Sequence, residues 1–329
     1  MLRKLAVAVA AFTTSLFTLP FHAWAAGITP TQVVGTAPAA AATLASRAYP
    51  KGASTAILTS ALVQNLADAV TAAPLSAVLK APILLTTGPM SVGSQTLAEI
   101  KTLRVQKVIL IGAVDNAAIR SQLPHGISVV GYAGSTRYRT SAVVFKHVEL
   151  AGGNPKTVFY ASANDANLTD ALTVDDVAAA TKSPILLLPP SGKVPLAYSN
   201  LIKPSQTSYV VGAAVSYHAP LPNEVNLAGV DRFTTATLVN QRFFHHPTGI
   251  VVTNAGYLLD ALVASPYAGR QSMPLIMVGT HVIPGPSYDY LAQIAPGVHS
   301  VLTVGNAVAM SPLMVQALVQ LMESGGSPG

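Results

Sequence analysis

Three short sequence signatures recur three times in the same order, and this repetition limits the possible folds more than any other feature. The first is an Asp-Ala pair inside an apolar segment, at Asp68, Asp170 and Asp260. The second is a proline that opens an apolar run 14 residues after each aspartate, at Pro82, Pro184 and Pro274. The third is an apolar run that ends in glycine, at Gly112, Gly212 and Gly305. The chain is therefore predicted to contain three tandem units of roughly a hundred residues each.

Each unit alternates short apolar strands with amphipathic helices. In the first unit the pattern predicts strands at 55–59, 82–85, 108–111 and 128–130, and helices at 66–80, 95–103 and 117–123. Continuous apolar strands between helices are typical of a parallel sheet that is covered on both faces. We therefore predict an α/β protein made of three small, doubly wound, parallel-sheet repeats of Rossmann- or Toprim-like type. The expected boundaries are 27–126, 127–224 and 225–322, followed by a flexible tail at 323–329.

The N-terminus has the layout of a secretory signal peptide. Arg3 and Lys4 precede an uncharged run at 5–21, and Ala23-Trp24-Ala25 forms a small-x-small cleavage site. A retained membrane anchor is the alternative, but Pro20 and a Thr-Thr-Ser interruption weaken a spanning helix. We predict a signal peptide at 1–25, an exported protein, and no membrane span after cleavage.

The composition and the motifs argue against several classes of chemistry. There is no cysteine, so a disulfide, a thiolate metal site or a thiol nucleophile is impossible. The glycines form neither a dinucleotide fingerprint nor a phosphate-binding loop, and the adjacent His245 and His246 lack metal-ligand spacing. The net charge of +6 either favours an anionic partner or only maintains solubility. We expect no catalysis, no cofactor, no metal and no nucleic-acid partner.

The motifs resemble a known family. The second unit contains Gly134-Ser135-Thr136-Arg137-Tyr138-Arg139-Thr140, and the third contains Gly229-Val230-Asp231-Arg232-Phe233-Thr234-Thr235. Together with the Asp-Ala pairs, the Pro-Ile-Leu-Leu-Thr block at 82–86 and Ala214-Val215-Ser216, they resemble the second type of cell-wall-binding repeat of Gram-positive surface proteins. The resemblance implies three repeats around a pseudo-threefold axis. It also implies non-covalent attachment to an anionic wall polymer, such as a teichoic-acid-like glycan.

The first unit departs from this pattern. Pro38 stands where the other two units have arginine, so the first unit is expected to be degenerate and to serve mainly to close the three-part assembly.

Arg137 and Arg232 are the candidate ligand-binding residues. Each precedes a predicted helix, where a guanidinium and the first helical N–H groups can hold a phosphate together. The alternative is an ion pair with one of the aspartates of the Asp-Ala pairs, in the same or a neighbouring repeat. Those aspartates, Asp68, Asp170 and Asp260, are candidates either for stabilising helix starts or for contacting the ligand.

Three functions remain open at this stage. The first is a secreted cell-wall-binding protein at the cell surface. The second is an accessory protein that modifies a wall amidase or another wall hydrolase, and the third is a hydrolytic enzyme on the same scaffold.

Overall fold

The computed structural model describes residues 27–164, 168–212 and 220–325. The predicted signal peptide and Ala214-Val215-Ser216 lie outside the described residues. The strands are β1 (Thr31–Val33), β2 (Thr55–Ser60), β3 (Ile83–Thr86), β4 (Lys107–Ile111), β5 (Ser128–Tyr132), β6 (Thr157–Ser162), β7 (Ile185–Leu188), β8 (Thr207–Val211), β9 (Glu224–Leu227), β10 (Gly249–Asn254), β11 (Leu275–Val278) and β12 (Ser300–Val304).

Helices connect these strands. They are α1 (Ala37–Ala48), α2 (Leu66–Val70), α3 (Ala72–Leu79), α4 (Ser94–Thr102), α5 (Ala117–Gln122), α6 (Arg137–Leu150), α7 (Leu168–Leu172), α8 (Asp175–Thr181), α9 (Arg232–Phe243), α10 (Leu258–Arg270), α11 (Gly285–Ile294) and α12 (Pro312–Glu323). In the first unit the segment predicted as one helix at 66–80 is two helices, with the break at Thr71. The other predicted elements of that unit agree with the observed ones to within one or two residues.

The strands form three four-stranded parallel sheets, which confirms the predicted fold class. Their strand orders are β3-β2-β4-β5, β7-β6-β8-β9 and β11-β10-β12-β1. In the first two sheets the chain starts in an inner strand, moves to one edge, and then returns to build the other half. In the third sheet β10, β11 and β12 follow the same path, and β1 forms the other edge. The strand order therefore reverses beside that first inner strand, between β2 and β4 in the first sheet.

The fourth strand of each sheet comes from the following repeat. β5 pairs with β4 and leads into α6 of the second repeat, and β9 pairs with β8 and leads into α9 of the third. The third sheet is completed by β1, because Val33 pairs with Val304 of β12. The chain therefore closes on itself, and the first repeat has the closing role that the sequence suggested.

Alternate residues along each strand enter different cores. In the first sheet Ile57, Leu85 and Ile109 face a core shared by all three units, whereas Leu58 and Leu110 face a core of their own unit. The second and third sheets divide in the same way. Period-two alternation between two apolar layers is the arrangement expected for a sheet covered on both faces.

Three equivalent helices form the centre of the shared core. α3, α8 and α10 contact one another in pairs, and so do α2, α7 and α10. Gly269 of α10 lets this packing be close, since a methyl group there would lie 2.4 Å from the backbone oxygen of Asp176. This mutual packing of equivalent elements accounts for the pseudo-threefold arrangement.

Candidate functional site

A polar cleft opens at the carboxyl ends of the strands in the first sheet. Asp68 lies in the first turn of α2, which follows β2, and Gly112 follows β4. Because the strand order reverses between β2 and β4, the two residues lie at the crevice where ligands of doubly wound sheets usually bind. The cleft has a volume of about 380 Å³, and its lining includes Asp68, Gly112, Asp115, Thr136, Arg137 and Thr140.

Each repeated aspartate packs against the repeated glycine of its own unit. A methyl group on Gly112 would lie 2.1 Å from Oδ2 of Asp68, and one on Gly212 would lie 2.3 Å from Oδ2 of Asp170. The corresponding distance for Gly305 and Asp260 is 3.0 Å. All three glycines also have a positive φ, between 71° and 138°. The glycine signature is therefore explained by close approach of the aspartate and by backbone conformation.

The arginines beside Asp68 and Asp170 belong to the next repeat in each case. Arg137 is the first residue of α6, and its Nη1 donates a hydrogen bond to the carbonyl of Ala163, just beyond β6. Arg232 is the first residue of α9, and its Nη1 donates to the carbonyl of Ala255 at 3.1 Å. Each arginine thus ties the start of its helix to a strand end of its own repeat while facing the preceding one.

The pKa values of the aspartates reflect this arrangement. Burial raises the pKa of Asp68, and the Ala113 amide, the Thr140 hydroxyl and the charge of Arg137 oppose the rise. Burial likewise raises the pKa of Asp170 to about 6, opposed by the charge of Arg232. Arginine and aspartate therefore interact across the boundary between repeats. This explains why Asp68 is retained although its own repeat has no arginine.

Asp260 differs from the other two cleft aspartates, because Pro38 stands at the position from which an arginine faces Asp68 and Asp170. Val33, Tyr132 and Leu227 are equivalent residues, because they pair with the last residues of β12, β4 and β8. Pro38 follows Val33 at the same distance along the chain at which Arg137 follows Tyr132 and Arg232 follows Leu227. Burial raises the pKa of Asp260 to about 6, and no opposing charge contributes. The degeneracy of the first repeat therefore affects the cleft of the third.

Threonines order the loop that carries each arginine. The hydroxyl of Thr140 accepts a hydrogen bond from the Gly134 amide at 3.1 Å, and Thr235 accepts one from Gly229 at the same distance. The helix starts are capped by Thr136 and Asp231, whose side chains accept from Arg139 and Thr234. Thr136, Thr140, Asp231 and Thr235 lie within the sequence motif, but the motif alone predicted no role for them. Their fixed spacing from glycine was the available signal.

The cleft combines groups that favour an anion with two carboxyl groups, those of Asp68 and Asp115. It offers a guanidinium, hydroxyl groups and the start of the 14-residue helix α6, which carries partial positive charge. Across the residues with described positions, no group of three or more His, Asp or Glu side chains could hold a metal ion. No helix among them is long and apolar enough to cross a bilayer.

Comparison with known proteins identifies the repeats. The profile of the family described as cell wall binding domain 2 (CWB2) matches residues 30–119, 132–218 and 226–315. The first match begins just before β1, whereas the second and third begin within β5 and β9, at residues 132 and 226. The curated protein sequences contain no match.

Two solved structures share the fold. Cwp6 from Clostridium difficile superposes with a TM-score of 0.80 at 20% sequence identity, over 96% of this chain and 52% of its own. Cwp8 from the same organism gives a TM-score of 0.76 at 21% identity, over 89% of this chain and 51% of its own. This chain thus spans about half the length of each of these proteins.

Proposed function

Because this chain belongs to the cell wall binding domain 2 family, we propose that it is a surface protein that attaches to the cell wall by binding an anionic wall polymer. Binding to the cell wall is what the family and the structural relatives support. The nature of the polymer, a phosphate- or carboxylate-bearing glycan of teichoic-acid type, is the finer part of the proposal. It does not require catalysis by this chain.

One observation carries the choice of ligand. At two boundaries between repeats, an arginine at a helix start stands over the crevice at the carboxyl ends of a parallel sheet. A guanidinium and a helix N-terminus are the groups that recognise phosphate and carboxylate in proteins. Two such sites on one rigid body can engage one long polymer at two points, which raises avidity without a deep pocket.

The test is retention of the protein on purified cell wall. We expect Arg137→Gln and Arg232→Gln to weaken retention singly and more strongly together, because each removes one anion contact. The loss should be largest at low salt, where exposed charges are least screened. Arg139→Gln is the matched control, since it removes an exposed arginine from the same helix outside the cleft lining. Equal retention on wall stripped of its anionic polymer would contradict the proposal.

Export is the second part of the proposal. It rests on the basic, apolar and small-residue segments of the first 25 residues. N-terminal sequencing of the protein recovered from the cell surface should begin at Ala26. Recovery of the surface protein with Met1 still present would show that the segment is retained.

A further inference from the structure

Charged residues are segregated along the strand direction. Aspartates of the three clefts lie where the strands end, as do Asp115 and Asp231. Exposed cations are concentrated where the strands begin, and we call this side of the molecule the basic end. Among them, Lys80 and Lys182 follow the last turns of α3 and α8, and Lys101 and Arg104 lie at the end of α4.

The first two units present Lys80 and Lys182 on the same side, and the third unit has a serine at the equivalent position. α3, α8 and α10 pack against one another. α2, α7 and α10, the first helices after β2, β6 and β10, also contact one another. The equivalent helices therefore run side by side, and their C-termini emerge together. Lys80, Lys182 and Ser272 occupy equivalent left-handed positions after these helices, with φ of 53°, 54° and 54°.

Helix stabilisation accounts for only part of this charge. A cation in the last turn of a helix is favoured by the helix dipole, but the effect falls off within that turn. Lys51, Lys156 and Lys203 lie in the loops that enter strands, beyond the helical turns, and all three are exposed. The acidic residues described at this end are Glu99, which is buried and accepts a hydrogen bond from Ser46, and the exposed Glu149, Glu224 and Glu323, fewer than the exposed cations. The cations at this end therefore exceed what helix capping requires.

We propose that the basic end is a second polyanion-binding surface, separate from the clefts, which recognises closely spaced phosphates by charge rather than by shape. Lysine is suited to this role because its ammonium is a mobile point charge. This proposal depends on the proposed wall-binding function in one respect only, which is the identity of the polymer that binds in nature. Binding should be strongly salt-dependent, because a polyanion releases condensed counterions when lysines replace them.

A polymer fits this surface better than a lipid bilayer does. Surfaces that bind membranes combine basic residues with exposed aliphatic or aromatic side chains. One exposed large apolar residue, Leu150 at the end of α6, lies at the basic end. The others include Val63, Met90, Leu196, Val282, Val308 and Leu313, which lie in loops or at a helix start after the strands, away from the basic end.

The experiment measures the affinity of the mature protein for linear inorganic polyphosphate between 50 and 300 mM salt, over which the Debye length falls by a factor of roughly 2.4. We expect Lys80→Gln/Lys182→Gln to weaken binding and to reduce the slope of log K against log salt by about 1.5, at about 0.7 to 0.9 per lost contact. Arg139→Gln/Lys193→Gln removes two exposed cations from the opposite end and is the matched control. It should leave the slope nearly unchanged.

Several outcomes would overturn the inference. One is an equal effect of both double variants, since net charge alone would then explain binding. Another is preferential binding of the protein to phosphatidylglycerol vesicles over polyphosphate, which would assign the basic end to a membrane. The cleft variants Arg137→Gln/Arg232→Gln separate the two proposals. If they abolish wall retention while the polyphosphate slope still depends on Lys80 and Lys182, the clefts and the basic end act independently.

Discussion

Single carboxyl groups set the charge of the clefts. Asp68 and Asp170 face arginines, yet burial raises the pKa of both carboxyls. Both groups therefore take up protons at a higher pH than an ordinary aspartate does, and the pKa of Asp170 is raised to about 6. The positive charge of the arginine beside each carboxyl is then less neutralised, so anion binding should strengthen in mild acid.

Asp68→Asn tests this pH dependence. The variant should bind wall polymer about threefold more tightly at pH 7 and low salt, because one partly exposed negative charge is lost beside Arg137. It should also gain less affinity than the wild type does when the pH is lowered, because the raised pKa of Asp68 no longer contributes. Asp260→Asn is the matched control in the cleft that has proline in place of arginine, and it should leave affinity unchanged. A pH profile that is identical in wild type and Asp68→Asn would exclude a role for this carboxyl.

The glycines that follow β4, β8 and β12 are a second feature at this scale, because a larger residue at Gly112, Gly212 or Gly305 would strain the backbone and approach the aspartate too closely. Gly112→Ala should lower the free energy of unfolding by about 2–4 kcal/mol, because it adds backbone strain and a clash with Asp68. Gly126→Ala isolates the strain, since Gly126 has φ of 87° with no atom within 4 Å of the added methyl. Denaturant titration should therefore rank Gly112→Ala as clearly the more destabilising. Similar losses for both variants would mean that the aspartate moves aside freely.

At the scale of elements, the junction of α3, α8 and α10 contains an unusual buried pair. Asp175 and Asp176 are fully buried, and Oδ2 of Asp176 accepts a hydrogen bond from the Leu275 amide at 2.7 Å. Neither oxygen of Asp175 has a hydrogen-bond partner within residues 27–164, 168–212 and 220–325. Burial, together with the neighbouring Asp176, raises the pKa of Asp175 well above its usual range. Burial also raises the pKa of Asp176 to about 7.

This pair makes stability depend on pH in a defined direction. The folded state holds protons that the unfolded state loses above about pH 4, so the free energy of unfolding should fall as pH rises from 4 through 7. Asp175→Ser should flatten that decline and stabilise the protein at pH 7.5 by about 1–3 kcal/mol. Serine is the residue at the equivalent position of α10, where the hydroxyl of Ser265 donates to the carbonyl of Ala261.

Denaturant unfolding at several pH values measures this effect. Glu149→Gln removes an exposed carboxylate and should leave the pH dependence unchanged. An Asp175→Ser variant that is less stable than wild type at pH 7.5 would show that the buried carboxyl has a stabilising partner.

At the scale of the whole molecule, β1 closes the ring of three units. It pairs with β12 across about 270 residues of sequence, and the Gly305 amide donates to the Val33 carbonyl at 3.0 Å. Gln32 adds side-chain hydrogen bonds to the carbonyls of Gly305 and Met310. Closure of this kind removes one exposed sheet edge and couples the first repeat to the third.

Deletion of residues 27–35 should open the third unit selectively. Hydrogen exchange should quicken at β12, which loses its partner strand, and the effect should weaken toward β4 and β8, whose partners β5 and β9 remain. Deletion of residues 326–329 is the control and should leave β12 protected. Uniform acceleration in all three sheets would instead indicate that β1 stabilises the molecule as one cooperative unit.

The sequence by itself determined the repeat, the α/β class and most element boundaries, because strand and helix formation depend on local periodicity, prolines and glycines. It also indicated Arg137, Arg232 and the three aspartates as a related set. Only the tertiary structure decided which of them meet. Each arginine faces the aspartate of the preceding repeat, and Pro38 consequently stands where Asp260 would otherwise face an arginine. The same is true of β1 in the third sheet, Asp175 at the helix junction and the cations gathered at one end. These contacts join residues that are far apart in sequence, and they depend on how the units pack around the axis, which local patterns do not encode.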